Sequence, residues 1–263
     1  MAAGNSAALL SCQGVSKYYG AMAAVRALSF DVRAGEIVGI GGPNGAGKTT
    51  LFDVIAGLQP ADAGSILFNG EHVITASPQE LCHRGLARVF QSVAAFDSMT
   101  LRENVVIGAA YGHRLRLMPP LVFDRGTLAR ADRALEAVGL RERAEVPIRN
   151  LPILDRKLAM FASALATEPL LLLLDEPVGG LNPSEIDRVM KVVRSLSGRG
   201  LTIVLIEHVM RFMVQLCARI IIMQHGEKIY EGSPEGMVRD PTVVSVYLGD
   251  ATARRLSQLV AAS

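Results

Sequence analysis

The sequence predicts an α/β fold, with a mainly parallel central sheet between helices and a helical lobe inserted between strands. Three observations predict it. A short β-prone run at residues 37–40 leads into a loop spaced G-x-x-x-x-G-K-[ST], and residues 48–56 can continue as a helix. A leucine run at residues 170–174 ends in Asp175-Glu176; an uninterrupted apolar run is what a strand covered on both faces requires. Downstream of the first helix, strand-like and helix-like stretches alternate without any internal repeat.

Taken in order, residues 9–15 read as a first strand. Leu28, Phe30 and Val32 alternate with Ser29, Asp31 and Arg33, the pattern of a half-buried strand. Between them lies Lys17-Tyr18-Tyr19-Gly20. Tyr19 alone reads as a strand-end aromatic, although a ring there can also stack on an adenine base. Gly57 closes the first helix and Pro60 prevents its continuation. Residues 65–68 followed by Asn69-Gly70 read as a strand and a tight turn. Ser77-Pro78-Gln79-Glu80 and Thr100-Leu101-Arg102-Glu103 are capping boxes that start helices. Residues 86–90 form a strand ending at Gln91, whose amide is either a solvated loop group or one that reaches a metal or an attacking water.

From Thr100 to about Glu145 the chain reads as helical, with Leu128, Ala131, Leu135 and Val138 forming a core stripe. Within it, Pro119-Pro120 and the basic Arg114 and Arg116 indicate a surface loop. Asn182-Pro183-Ser184-Glu185 caps a further helix, and residues 201–206 form a strand followed by Glu207-His208. Residues 220–223 and 228–231 pair as a hairpin through Gly226, and residues 241–248 form a short final helix. Residues 251–263 are a mildly amphipathic tail.

The loop Gly42-Pro43-Asn44-Gly45-Ala46-Gly47-Lys48-Thr49-Thr50 carries the chemistry. Its glycines allow successive N–H groups to converge on phosphate oxygens. Lys48 brings a positive charge to the β/γ-phosphates, Thr49 offers Mg²⁺ a hydroxyl, and the following helix turns its positive end to the anion. Asp175 suits the Mg²⁺ shell, and Glu176 can polarise a water for attack on the γ-phosphate. His208, at the end of another central strand, can donate to that phosphate. A lone histidine and two adjacent acids each have structural readings, as a packed ring and a turn; the phosphate loop upstream favours the functional ones.

Composition sets limits. The 263 residues suit one large domain or one domain with an inserted lobe. A net charge of +2 and the absence of Trp give no sign of a nucleic-acid partner. Cys12, Cys82 and Cys217 match no metal spacing and read as incidental thiols in a reducing compartment. The first ten residues lack a basic segment before an apolar run, so no export signal is expected. The apolar runs are too short to span a bilayer. A cytosolic chain in contact with something itself in a membrane is expected.

From residue 14 to about 249, the constellation resembles the ATPase subunit of an ABC transporter. The phrases GEIVGIGGPNGAGKTTLF, DEPVGGLNP, VLIEHVM and VVSVYLG are similar to the branched-chain (hydrophobic) amino acid uptake ATPases. The resemblance implies a P-loop NTPase fold whose core and antiparallel β subdomain take residues 8–90 and 168–250, with a helical subdomain at about 91–167. It implies Tyr19 on adenine, ATP phosphates on residues 42–50, and Mg²⁺ on Thr49, Gln91 and Asp175. Glu176 is then the general base, His208 the switch histidine, and Gly180-Leu181-Asn182-Pro183 the loop crossing a dimer interface. The implied partners are a second ATPase subunit (in a hetero- or homodimer), transmembrane permease subunits and, indirectly, a periplasmic solute-binding protein. The implied place is the inner face of the cell membrane.

One departure stands out. The family signature L-S-G-G-Q, commonly L-P-Y-G-D-Q-R-R in this subfamily, is here Leu151-Pro152-Ile153-Leu154-Asp155-Arg156-Lys157-Leu158. It has no serine hydroxyl, and Leu154 replaces a glycine. Leu154 is expected to obstruct close backbone approach and any positive φ. One competent and one impaired site in a heterodimer follow from this, or weak ATPase activity of the chain alone. The rival readings are a weakly hydrolysing regulatory or non-transport switch, a binding-only module and a small-molecule kinase. Fused ATPase units, a long coiled coil, a strongly basic surface and an acceptor lid are not visible in the sequence.

Overall fold

The computed structural model describes residues 8–112 and 123–248. The chain divides into two compact units, one running up to Thr75 and resuming at Val204, the other Ala76–Ile203.

The first unit opens on strands β1 (Ala8–Tyr19) and β2 (Met22–Arg33), an antiparallel pair. β1 runs four residues past the expected end of the first strand, so Lys17 and Tyr18 lie in it and Tyr19 closes it, in line with its strand-end reading. These residues pair with β2, Lys17 with Val25, Tyr18 with Ala23 and Tyr19 with Met22, and the Asp62 carboxylate accepts the Tyr18 N–H at 2.6 Å and sits 3.4 Å from the Lys17 ammonium. Leu28, Phe30 and Val32 are buried, as their alternation predicts. β3 (Ile37–Gly41) is buried throughout and feeds the phosphate loop and helix α1 (Lys48–Ile55). β4 (Ala63–Phe68) and β5 (Glu71–His72) complete an antiparallel sheet ordered β2-β1-β4-β5. Its tight turn takes Asn69 and Gly70 to positive φ, the conformation a two-residue hairpin needs.

In the second unit, α2 (Pro78–His83) and α3 (Leu101–Tyr111) start on the expected capping boxes of Ser77 and Thr100. Between them lies β6 (Leu86–Val89). α4 (Arg125–Ala137) is followed by 3-10 turns and by α5 (Ile153–Leu165); α3 packs against both α4 and α5. Ala131, Leu135 and Val138 are buried, but Leu128 is exposed, so the stripe starts one turn later than its spacing suggests. The expected loop with Arg114, Arg116 and Pro119-Pro120 lies outside the described residues, as does the tail at 251–263. β7 (Leu171–Asp175) is buried along its whole length and pairs parallel with β6. Leu170 is exposed and precedes the strand: its N–H, like that of Leu171, bonds to the Gly85 carbonyl. α6 (Pro183–Gly198) carries the expected Asn182 capping box.

β8 (Thr202–Ile206), buried throughout, leads the chain back into the first unit. There follow α7 (Met210–Leu216), β9 (Arg219–Gln224), β10 (Glu227–Gly232), α8 (Pro234–Met237) and α9 (Pro241–Leu248). β9 pairs parallel with β3, and β10 folds back antiparallel on β9 through His225 and Gly226, both at positive φ. The fold is α/β, its larger sheet mixed and mainly parallel. Among the described residues no helix is long and apolar enough to cross a membrane.

Candidate nucleotide site

The phosphate loop is shaped by two glycines that no other residue can replace without a shift. Gly42 has φ +143°, and a Cβ there would stand 2.2 Å from the Met223 carbonyl oxygen. Gly47 has φ +97°, and its Cβ would stand 1.9 Å from the Ala24 carbonyl oxygen. The loop therefore lies flat against the neighbouring backbone. Its far side is fastened as well: the Gly226 N–H donates to Ala46 at 3.1 Å, and the Arg26 N–H to Gly226 at 2.8 Å.

Gly47 caps α1 without a side-chain acceptor, and no acidic residue stands in the first turn. The positive end of the helix thus faces no competing carboxylate of its own. Lys48, first in the helix, is buried, and its Nζ donates to the carbonyls of Gly42 at 2.8 Å and Pro43 at 3.0 Å. A buried ammonium has to be hydrogen-bonded, and the loop's own carbonyls do this. Thr49 is exposed.

Tyr19 and His208 belong to the same unit as the loop. Tyr19 closes β1 opposite Met22 with its ring largely exposed, and the Lys17 ammonium lies 5.7 Å from the ring centre. His208 follows β8 with its side chain 57% exposed. Its backbone is fixed by Glu207, a fully buried carboxylate that accepts the N–H groups of His208 at 3.1 Å and Val209 at 3.2 Å. Sequence reading passed over Glu207. A charged residue directly after the apolar run at residues 203–206 was the available signal, because such a group is buried only when it is bonded.

The remaining predicted residues lie in the second unit. Asp175, the last residue of β7, is buried, and its Oδ2 accepts from Arg88 Nη2 at 2.8 Å. Glu176 has φ +45°, a left-handed conformation that residues with a side chain seldom adopt. Gln91 Nε2 donates to Glu176 Oε2 at 2.6 Å, which leaves the carboxamide oxygen as the Gln91 atom suited to a cation. Lys157 Nζ reaches the Glu176 carbonyl at 3.5 Å. Gln91 and Glu176 are thus brought together, and Lys48 is brought against its own loop. Arg88 and Lys157 were missed; the β6–β7 pairing brings Arg88 to the Asp175 carboxylate, and the start of α5 brings Lys157 to the Glu176 main-chain carbonyl.

The altered signature starts α5 behind Pro152, with no side-chain cap. Leu154 is helical and turned inward, with 7% exposure, and is not among the positive-φ residues. The side chain that stands out is Ile153, at 45%. Any obstruction of the signature therefore comes from Ile153 rather than Leu154, as helical geometry turns neighbouring side chains to different faces. Asp155 is buried beneath, paired with Arg143 and, at 3.4 Å, with Arg188.

A family profile described as ABC transporter matches residues 25–179. The chain belongs to this family. It is an ATP-binding cassette ATPase. It is similar to the high-affinity branched-chain amino acid transport ATP-binding protein LivG of Escherichia coli, with 34% identity over 92% of this chain and 98% of LivG. BraF of Pseudomonas aeruginosa, of the same description, is 31% identical over 92% and 98%. The ribose import ATP-binding protein RbsA of Rhodococcus jostii is 34% identical over 90% of this cassette but 46% of RbsA. Among solved structures, the ADP conformation of MJ1267, an ATP-binding cassette of an ABC transporter, superposes with a TM-score of 0.85. It shares 29% identity and covers 93% of this cassette and 100% of MJ1267.

Proposed function

We propose that this chain drives the import of hydrophobic, branched-chain amino acids by hydrolysing ATP beneath a membrane permease. The observation that carries the solute class is the end-to-end match to the branched-chain amino acid proteins, against a match to only part of the ribose protein. The reaction is ATP + H₂O → ADP + phosphate. In a loose phosphoryl-transfer transition state, positioning and charge neutralisation supply most of the catalysis.

Tyr19 stacks on the adenine. The backbone of residues 42–50 wraps the phosphates, and Lys48 balances the charge on the β and γ groups. Thr49, Gln91 and Asp175 offer a hydroxyl, a carboxamide and a carboxylate oxygen, the hard donors that suit Mg²⁺ alongside phosphate oxygens and water. Bound with the nucleotide, Mg²⁺ neutralises the β and γ oxygens. Glu176, steadied by Gln91, takes the proton of the attacking water. His208 donates to the γ-phosphate.

The cassette acts as one of a pair of ATPase subunits, peripheral on the inner face of the membrane, under permease subunits supplied by a periplasmic binding protein. Its signature lacks a hydroxyl and exposes Ile153, so the site it completes for its partner is the weaker one. A heterodimer with an intact partner signature keeps one strong site.

Uptake of labelled leucine, isoleucine, valine and ribose in cells with and without the gene tests this reading. Loss of amino-acid uptake with ribose uptake intact supports it; unchanged amino-acid uptake overturns it, and loss of ribose uptake alone replaces the solute.

A further inference from the structure

We infer that Arg88 makes divalent-cation binding at Asp175 conditional on the nucleotide. The inference rests on the proposed role of Asp175 as the metal carboxylate.

Arg88 sits on β6, in register with Leu173 of β7, and its guanidinium reaches along the neighbouring strand to the terminal carboxylate. The two side chains are 5% and 4% exposed. The face of the Phe90 ring lies 4.8 Å from the guanidinium carbon, so Arg88 is held by the acid and the ring together. A guanidinium is charged at every relevant pH and cannot be neutralised to make way.

The effect on a cation is electrostatic. Asp175 and Glu176 are adjacent acids, and together they would form a negative site attractive to any free divalent ion. Arg88 cancels the charge of Asp175 at contact distance, in surroundings that water screens poorly. A free cation then meets a carboxylate that is already balanced, and it is repelled by the guanidinium. A cation carried on a triphosphate brings its own negative charge and uses Asp175 as only one ligand among several. Arg88 is therefore a positioning residue. It fixes the Asp175 carboxylate and lowers its affinity for a bare ion, so the metal enters with ATP rather than ahead of it. An opposite charge within contact distance shifts a carboxylate's ion affinity by about tenfold or more.

The test is Mn²⁺ binding, followed by electron paramagnetic resonance on the full chain without nucleotide. Arg88→Met is expected to bind Mn²⁺ at least about tenfold more tightly than wild type. Arg88→Gln keeps a donor without the charge and is expected to do the same should the methionine variant not fold. Arg88→Lys is expected to stay weak, and adding Asp175→Asn to Arg88→Met is expected to remove the gain. Mn²⁺ affinity unchanged in both charge-removing variants, or a gain that survives Asp175→Asn, overturns the inference. Mn·ATP binding by wild type and by Asp175→Asn separates the two levels. Indifference to Asp175→Asn removes the underlying role of Asp175. Sensitivity there, with no effect of the Arg88 variants, removes the inference alone.

Discussion

Gln91 donates its side-chain amide to the Glu176 carboxylate at 2.6 Å. The contact fixes the direction of the proposed general base while leaving Gln91 its oxygen. Glu176→Gln is expected to lower turnover by about a hundredfold or more, the usual worth of a general base, with ATP affinity kept within a few-fold. Steady-state phosphate release beside equilibrium nucleotide binding checks this. Equal loss of both would make Glu176 a binding residue.

Gly47 leaves no room for a Cβ against the Ala24 carbonyl. Gly47→Ala is expected to destabilise the protein by about 1–3 kcal/mol, as overpacking and a positive φ both oppose it. Nucleotide binding should fall with it. By contrast, a Cβ at Gly45 meets nothing within 4 Å, so Gly45→Ala carries only the conformational strain of its φ of +77°. Thermal melts of the two variants give the comparison.

Ile153, at the start of α5, stands out of the altered signature. The purified chain alone is expected to hydrolyse ATP slowly and to speed up when mixed with a partner cassette carrying an intact signature. Brisk turnover by the isolated chain that Glu176→Gln abolishes would remove the asymmetry.

Glu36 is held below the usual glutamate range. Burial pushes its pKa up, but hydrogen bonds from the Arg219 side chain and the Arg33 backbone outweigh that and lower it from the ordinary glutamate value of 4.5. The depressed folded pKa means that the contribution to stability is present above about pH 4.5 and is lost as pH falls through the folded value. Glu36→Gln is expected to flatten the acid limb of a stability–pH curve in that window. Denaturant melts between pH 3 and 6, roughly the span over which such carboxylates titrate, check it.

Much of this was legible in the sequence because local rules acted alone. The capping boxes at Ser77, Thr100 and Asn182 and the turns at Asn69-Gly70 and Gly226 need only their own neighbours. The buried strand before Asp175 follows from its unbroken leucines. What was not legible depended on distant partners. Lys17 and Tyr18 extend β1 by pairing with Val25 and Ala23 of β2, and Asp62, far along the chain, ties down the Tyr18 amide. Leu128 and Leu170 fit an apolar pattern, yet both are exposed. Leu154, expected to obstruct, is turned inward at the start of α5, where Ile153 is the exposed side chain. In the proposed site, the phosphate loop is read from its spacing and the acids from the leucine run before them. Arg88 was not legible, since it buries its charge against an acid that the sequence does not place beside it; Glu207 was not, although the N–H groups it accepts, those of His208 and Val209, are its next neighbours.

The central claim is that a triphosphate binds in the loop ending at Lys48. Titration calorimetry of the purified chain with Mg·ATP tests it most directly, set against Lys48→Ala shown to be folded by circular dichroism. The account predicts saturable heat for the wild type and none for the variant at the same concentrations. No heat from well-folded wild type, or identical isotherms for the two proteins, would contradict it.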